Sequence, residues 1–277
     1  MTPNPFISSI TIFPIKSLDG IQLEKVQTTP GGSLLHDREF AIADDDGNFL
    51  IGKTAPTIHL IRTIYNLENY TASFWIEGNQ ENAKQFHLID QISEINNWLS
   101  EFFGKSVQLI RNTDGRFLDI PDISGITFLS RSSLDEIAKW YPEMSVEETK
   151  RRFRSNIVIG GVEAFWEDHL FAEEGTYVLF KVGDVELLGI SPRARCVVPT
   201  RNPVTSVVSK NFAKTFGQNR AKHLPEFSKL DEYGHYYFLT VNVLIPPEQR
   251  NKTIRVGDEI ELIRTFNEDE AQEYLES

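Results

Sequence analysis

The stretch YVLFKVGDVELLGI, residues 177–190, indicates the fold of this chain most directly. Two apolar or alternating runs flank Val182-Gly183-Asp184, which is the pattern of two antiparallel strands joined by a tight turn. The same tripeptide recurs at residues 256–258 and is again followed by an alternating segment. We predict a hairpin at each turn. Because no regular alternation of strands and helices accompanies them, a barrel is favoured over a doubly wound sheet.

Most of the chain carries further strand patterns, with alternating or continuous apolar residues between turn residues. Strands are predicted at residues 6–15, 21–27, 38–52, 57–66, 70–78, 106–111, 155–161, 236–245 and 254–264. This density of strands predicts a mainly β protein of the α+β type with a few short helices.

The first predicted helix covers about residues 91–103, because its apolar residues recur on one helical face. Asp90 or Ser93 is the expected N-cap, and Gly104 ends the helix.

Two more helices are predicted in the second half of the chain, one at residues 130–141 and one after Ser145. Ser145 and Glu148 have the spacing of a capping box. The expected division is a β-rich domain at 1–110, a β-barrel domain at 111–266 and an acidic tail at 267–277. Residues 116–125, just after the first boundary, are expected to form a loop.

Composition and charge limit the kinds of partner. The chain of 277 residues has a net charge of −12, so it lacks the cationic excess that a general nucleic-acid binder needs. It has no secretory signal pattern, no apolar run of membrane-spanning length, and a single cysteine, Cys196. We therefore expect a soluble cytoplasmic protein that contacts neither nucleic acid nor membrane.

Residues 47–54, GNFLIGKT, match the phosphate-binding loop pattern G-x-x-x-x-G-K-[ST] letter for letter. Such a loop needs small flexible residues and a following helix, whereas here Phe49, Leu50 and Ile51 favour a strand and Pro56 interrupts any helix. We interpret this segment as a hairpin strand.

Other catalytic patterns are weak. The six histidines, at positions 36, 59, 87, 169, 223 and 235, lack metal-ligand spacing, and no nucleophile-elbow or dinucleotide motif occurs. Glu167-Asp168-His169 is better interpreted as a solvated turn than as an acid–base pair.

The stretch SPRARCVVPTRNP, residues 191–203, surrounds Cys196 with arginines. Neighbouring cations stabilise the thiolate form of a cysteine, so Cys196 is expected to be a better metal ligand or nucleophile than an ordinary thiol. The alternative is a buried, inert cysteine. FPIKS (13–17), HDREF (36–40) and KRRFRSN (150–156) add Lys, Ser, Arg and Asn at strand or helix ends, where they suit a phosphate or a polar heterocycle.

Five segments in order resemble the MOSC family, named for the C-terminal domain of molybdenum cofactor sulfurases, and particularly the amidoxime-reducing components and their bacterial counterparts. The resemblance extends from about Phe6 to Arg264. The segments are FPIKSLDGI (13–21), HDREFAIADDDGNFLIGKTAP (36–56), RFRSNIVIGGVEAFWED (152–168), VGDVELLGISPRARCVVPTRNP (182–203) and IRVGDEIEL (254–262).

The resemblance implies an N-terminal β-rich, barrel-like domain, a C-terminal MOSC β-barrel and a molybdenum–pterin cofactor between them. It implies that Cys196 is the thiolate ligand of molybdenum. The implied cofactor-binding residues are Lys16, Ser17, Arg38, Arg154, Asn156, Arg195 and Thr200. Asn202 stands where mitochondrial members have an aspartate; it is a catalytic candidate, although an amide cannot donate a proton as an acid.

The resemblance further implies reduction of N-hydroxylated small molecules by two-electron removal of oxygen. With one cysteine the chain cannot hold a four-cysteine iron–sulfur cluster, so a separate ferredoxin- or flavoprotein-type donor would supply electrons. We likewise expect no pyridoxal-dependent desulfurase domain of the kind that full-length cofactor sulfurases carry, because the chain is too short to contain one. Two alternatives remain open: a persulfide carrier that uses Cys196, and a protein that stores or handles the cofactor.

Overall fold

The computed structural model describes residues 4–114, 116–118 and 125–276. Its strands within these ranges are β1 (Phe6–Ile12), β2 (Ile21–Leu23), β3 (Lys25–Gln27), β4 (Phe40–Asp44), β5 (Ile61–Asn66), β6 (Thr71–Ile76), β7 (Lys84–His87), β8 (Val107–Arg111), β9 (Ile126–Ser130), β10 (Ile157–Gly160), β11 (Tyr177–Val182), β12 (Val185–Ala194), β13 (Phe238–Leu244), β14 (Thr253–Arg255) and β15 (Ile260–Phe266). The α-helices there are α1 (Ile92–Phe103), α2 (Arg131–Lys139), α3 (Val146–Phe153), α4 (Phe212–Lys222) and α5 (Glu268–Glu276). The mainly β fold class is confirmed.

The hairpin that we expected at Gly183 is present. β11 and β12 pair antiparallel up to Val182 opposite Val185, and Gly183 has a φ of 55°, which a glycine adopts without strain. A side chain at Gly183 would also collide with the carboxylate of Asp258, which lies in the second Val-Gly-Asp turn. The two turns therefore pack against each other.

The second expected hairpin is wrong. β14 pairs with β3 and β15 pairs with β11, so the chain passes from one sheet to another at residues 256–258. The backbone of Gly257 donates to Ile7, and Ile7 donates back to Asp258. These bonds to the distant strand β1 fix the turn without requiring its two flanking strands to pair.

The largest sheet has eight strands in the order β15-β11-β12-β13-β9-β10-β1-β2. Although β1 is the first strand in the chain, it pairs antiparallel with β10, and β3 pairs with β14 from the end of the chain. Residues 6–27 therefore belong structurally with the second half. Sheets β4-β8 and β5-β6-β7, with α1, enclose their own apolar core, which includes Phe74 and Leu99. The division at residue 110 stays a prediction.

Helix α1 and its end at Gly104 are confirmed, and Gly104 has a φ of 67°. Both predicted caps are wrong, because the N-cap is Gln91, whose side chain instead accepts a bond from the backbone of His87.

The cap of α3 is confirmed, because the Ser145 hydroxyl accepts the amide hydrogen of Glu148 at 3.1 Å. The Glu148 carboxylate, however, accepts bonds from Arg152 on the next helical turn.

Some elements were not predicted. Residues 56–60 form a 3-10 turn before β5, because Pro56 starts that turn. Helix α4 was not predicted. Its buried face consists of Phe212, Phe216 and Arg220, and because the third of these residues is charged, the apolar residues do not recur with a clear helical period. Arg220 is buried because it forms an ion pair with Asp168. Most of the loop predicted at 116–125 lies outside the described residues.

The segment that resembles a phosphate-binding loop doubles back on β4, since Phe49 bridges to Ala43. It leads into a turn at residues 51–54 rather than into an α-helix. In the described residues, no helix has both the length and the apolar character needed to cross a lipid bilayer.

Candidate functional site

Cys196 lies just beyond the end of β12, in a loop that runs to residue 209. Its side chain is exposed, and the only hydrogen-bond donor seen near its Sγ among the described residues is the Val198 amide, at 3.5 Å. The Arg195 amide donates to the Tyr237 carbonyl at 3.0 Å, which fixes the start of the loop against β13. The thiol therefore stands at a defined place and faces solvent.

Helix α3 anchors the loop that follows the cysteine. Arg152 donates to the Pro199 carbonyl at 2.7 Å and to the Ser209 hydroxyl at 3.0 Å. Arg195 donates to the Phe153 carbonyl at 3.0 Å. These bonds join both ends of the loop to the same helix.

Beside the thiol is a cavity of about 400 Å³, hereafter the Cys196 cavity. Its lining includes five cationic side chains and, among the described residues, no carboxylate. The cations are Arg38, Lys53, Arg154, Arg193 and Arg195. In a chain with a net charge of −12, this concentration of positive charge makes the cavity electrostatically suited to an anion.

Three residues that line the Cys196 cavity have left-handed backbones. The φ angles of Ser17, Arg38 and Arg154 are 70°, 51° and 52°. For residues with a Cβ this conformation costs about 1–2 kcal/mol each. Such backbone strain clusters at functional sites. The chain therefore holds these three side chains in place at a cost to its own stability.

Phe13 positions two of the arginines without neutralising them. The guanidinium carbons of Arg38 and Arg154 lie 5.0 Å and 4.0 Å from its ring centre. Asp37, which is fully buried, pairs with Arg38 and accepts the Phe13 amide at 2.8 Å. Burial is the main cause that lowers the pKa of Arg154 to about 10, and the charge of Arg38 adds to it, so Arg154 remains cationic at neutral pH.

Asn156 connects the strands around this site. Its amide nitrogen donates to the Thr11 carbonyl at 3.1 Å, and its oxygen accepts from Thr127 at 3.1 Å and from Arg38 at 3.3 Å. It lines a small recess with Arg38 and Arg193, next to the Cys196 cavity. Its position suits a group that orients Arg38.

The structure thus brings Ser17, Arg38, Arg154, Arg195 and Cys196 to one cavity, with Asn156 behind Arg38.

Three other sequence-derived candidates lie elsewhere. The buried Lys16 donates to the Phe117 carbonyl at 2.8 Å, and Thr200 donates to the Val197 carbonyl at 2.6 Å. Asn202 lines a separate cavity with Glu148 and caps a turn through its side-chain oxygen. The roles of all the candidate residues stay predictions.

Sequence reasoning missed His59, which lines the Cys196 cavity. Its Nε2 is buried and has no hydrogen-bond partner among the described residues. Burial lowers the pKa of His59 to about 4, and the charges of Arg154, Arg62 and Arg201 add to this effect. A Cβ at Gly52 would lie 2.6 Å from that nitrogen, so the glycine makes room for a neutral imidazole. The sequence holds no motif that would have identified this single histidine.

The described residues contain no group of three or more His, Cys, Asp or Glu side chains arranged to hold a metal ion. The lining of the Cys196 cavity nevertheless suits an anionic group that brings its own metal. Cys196 offers a soft sulfur ligand, and the cations around it complement phosphate and sulfur anions.

Comparison with known proteins gives two family matches and distant relatives. The molybdenum cofactor sulfurase of Danio rerio is 25% identical over 76% of this chain, but the match spans only 31% of that relative, about a third of its length. The mitochondrial amidoxime reducing component 2 of Homo sapiens is 24% identical over 74% of this chain and 69% of its own length. Human mitochondrial amidoxime-reducing component 1 is 22% identical over 93% of this chain and 82% of its own.

The family matches cover most of the chain. The model of the MOSC N-terminal beta barrel domain matches residues 4–106, and that of the MOSC domain matches residues 121–261. The Cys196 cavity takes residues from both matched regions, since Ser17 and Arg38 lie in the first and Arg154 and Cys196 in the second. The chain belongs to the MOSC domain family.

Proposed function

We propose that this chain binds the molybdenum cofactor in the Cys196 cavity and reduces N-hydroxylated small molecules. The observation that carries the proposal is an exposed thiol on a cavity whose described lining has five cations and no carboxylate. The proposal is supported by similarity to proteins named as amidoxime reducing components and as molybdenum cofactor sulfurases.

Each part of the cavity has a use in holding the cofactor. Cys196 would ligate the metal through its thiolate, since soft metals select sulfur. Arg38, Arg154 and Arg195 would bind the phosphate and offset the negative charge of the other sulfur ligands. The left-handed backbones of Ser17, Arg38 and Arg154 hold these residues in place before binding, so little conformational entropy is lost when the cofactor binds.

The bound cofactor would supply two-electron chemistry at the nitrogen–oxygen bond. In the overall reaction that bond breaks, and two electrons and two protons convert the N-hydroxylated group and its oxygen to the reduced nitrogen compound and water. The chain's residues bind and orient the reactants. His59, which is neutral at physiological pH, has an Nε2 without a hydrogen-bond partner among the described residues, and in the Nε2–H tautomer it would donate to a ligand at the edge of the cavity.

Electrons would come from a separate donor protein of the ferredoxin or flavoprotein type. Cys196 is the only cysteine, so it leaves no ligands for a four-cysteine iron–sulfur cluster. A cytoplasmic location and the absence of nucleic-acid and membrane partners stay part of the proposal.

A second function is a persulfide carrier or cofactor-handling protein. It is favoured by the exposure of Cys196, since a sulfur carrier must present its thiol to a partner, and by the similarity to molybdenum cofactor sulfurases. In this case the Cys196 thiolate would take the outer sulfur of a partner's persulfide, with release of the partner's thiol, and would pass it to an acceptor thiolate by the same exchange instead of holding the metal.

The two functions are separated by purifying the protein from a host that makes the cofactor. The reductase predicts bound molybdenum and pterin, benzamidoxime reduction with an artificial donor, and loss of both metal and activity in Cys196→Ala. A carrier predicts sulfane sulfur on Cys196 and no reduction. Wild-type protein without molybdenum, or a Cys196→Ala variant that keeps metal and activity, would refute the reductase.

A further inference from the structure

A second cavity of about 400 Å³ adjoins the Cys196 cavity and shares Ser17, His59 and Arg154 with it. One wall comes from strands β5 and β6 and includes Trp75, after which we name it the Trp75 cavity. The other wall is the last turn of α3, with Lys150 and Arg151. A small molecule in the Trp75 cavity would therefore lie directly beside the site of the thiol.

The α3 wall is rich in available positive charge. Within the described part of the chain, Lys150, Arg151 and Arg154 make no side-chain hydrogen bond or ion pair, and Glu147 is the α3 carboxylate that lines the cavity with them. The other acid on the lining, Asp19, is already paired with Arg62 at 2.9 Å. Even without Arg154, which the proposed function assigns to the cofactor, two cations face one available carboxylate, so the wall is able to bind an anion.

The opposite wall suits a planar ring. Trp75 is half-buried, lies opposite Arg62 in the β5–β6 pair, and lines the cavity together with Ile61 and Ile64. The hydroxyl of Thr11, on the same lining, is buried and has no hydrogen-bond partner among the described residues. An indole beside aliphatic side chains and a spare polar atom is a common setting for an aromatic ligand.

The two cavities differ in the charge and exposure of their linings, so they suit different ligands. The described lining of the Cys196 cavity is cationic without a carboxylate, whereas the Trp75 cavity also carries Asp19 and Glu147 and opens beside the exposed residues Arg151 and Ile64. The first suits a permanently held polyanion. The second suits a ligand of small charge that enters and leaves.

We propose that the Trp75 cavity is the substrate pocket and favours N-hydroxylated compounds whose planar ring carries a carboxylate or a phosphate. The ring would lie against Trp75, and the anion would contact Lys150 and Arg151. The N-hydroxylated group would then face the Cys196 cavity. This inference rests on the proposed reductase function. The reaction is the one given above, which consumes two electrons from the donor and two protons and releases one water.

The test compares benzamidoxime with 4-carboxybenzamidoxime, which differs from it by one carboxylate. In cofactor-loaded wild type we expect kcat/KM to be about tenfold higher for the carboxylate, as one charge-assisted contact implies, and the preference to shrink at high salt. The double variant Lys150→Ala/Arg151→Ala should lose most of that ratio. The control Lys105→Ala/Lys181→Ala removes the same charge from outside both cavities and should keep it.

A binding measurement needs no turnover. By calorimetry, 4-carbamoylbenzoate should bind wild type about tenfold more tightly than benzamide, and Trp75→Ala and Lys150→Ala/Arg151→Ala should weaken it. Equal kcat/KM for both substrates in an active wild type would overturn the substrate pocket while leaving the reductase standing. Loss of molybdenum or pterin from the double variant would also overturn it, since the Trp75 cavity would then hold cofactor. Wild type that lacks molybdenum and reduces neither substrate would instead refute the proposed function.

Discussion

The guanidinium of Arg152 donates a 2.7 Å hydrogen bond to the carbonyl oxygen of Pro199, three residues after Cys196. The same side chain pairs with Glu148 and is buried against Phe212, 4.9 Å from its ring centre. Glu148 in turn accepts from Asn202 at 3.3 Å. Helix α3 thus anchors the loop that follows Cys196.

Replacing Arg152 by methionine should free the cysteine loop. The Pro199 carbonyl would lose a charged donor, and we expect the free energy of unfolding to fall by about 2 kcal/mol or more. Hydrogen exchange of the amides at residues 197–209 should accelerate, because the Ser209 amide bond to Thr200 closes this loop. Lys139→Met, an exposed change on α2, is the control. Unchanged exchange in the loop would contradict the anchoring role.

Arg154 illustrates a trade between stability and binding. Its left-handed φ of 52° favours glycine, and its guanidinium makes no ion pair within the described residues. Arg154→Gly should therefore change the stability of the cofactor-free protein by no more than about 1 kcal/mol, because relief of backbone strain offsets the lost contact with Phe13. Cofactor retention should fall at the same time.

The measurement for Arg154 is paired denaturation and molybdenum analysis, with Arg151→Gly as the matched control from the same helical turn. A glycine variant of Arg154 that is clearly destabilised but keeps its full cofactor content would contradict the interpretation of this residue as a strained cofactor ligand.

The lowered pKa of His59 predicts that the stability of the protein depends on pH. Its pKa is about 4 in the folded chain, against an ordinary value of 6.5. Between these values the unfolded chain takes up a proton that the folded chain does not, so the free energy of unfolding falls as the pH decreases. The loss is at most about 1 kcal/mol per pH unit, because solvent partly reaches the ring.

Urea unfolding of wild type and His59→Gln at pH 7 and pH 5 measures this effect. The variant should lose less stability between the two pH values than wild type does, and His235→Gln, which removes an exposed histidine, should behave like wild type. Parallel losses in wild type and His59→Gln would show that the imidazole is not held neutral by its surroundings.

Local patterns in the sequence predict local structure in this chain. The 177–190 hairpin, the end of α1 at Gly104 and the Ser145 cap each depend on residues only a few positions apart. The second hairpin failed because the partners of β14 and β15 are β3 and β11, which no short pattern identifies. Helix α4 was hidden because Arg220 owes its burial to Asp168, some fifty residues earlier in the chain.

In the candidate site, too, proximity in sequence does not determine which residues lie together. Ser17, Arg38, Arg154 and Arg195 line one cavity with Cys196 from positions far apart in sequence, and their roles in binding a cofactor stay predictions. Thr200 and Asn202, close to the cysteine in sequence, make their bonds away from its cavity. His59 could not be predicted, because a single histidine has no pattern and its significance depends on the space left by Gly52.

The central claim is that Cys196 is the protein's ligand to molybdenum. X-ray absorption at the molybdenum edge, measured on cofactor-loaded wild type and on any metal retained by Cys196→Ala, tests it directly. We predict one sulfur neighbour fewer in the variant, or complete loss of the metal. The same number of sulfur neighbours in both proteins, with molybdenum retained, would contradict the claim.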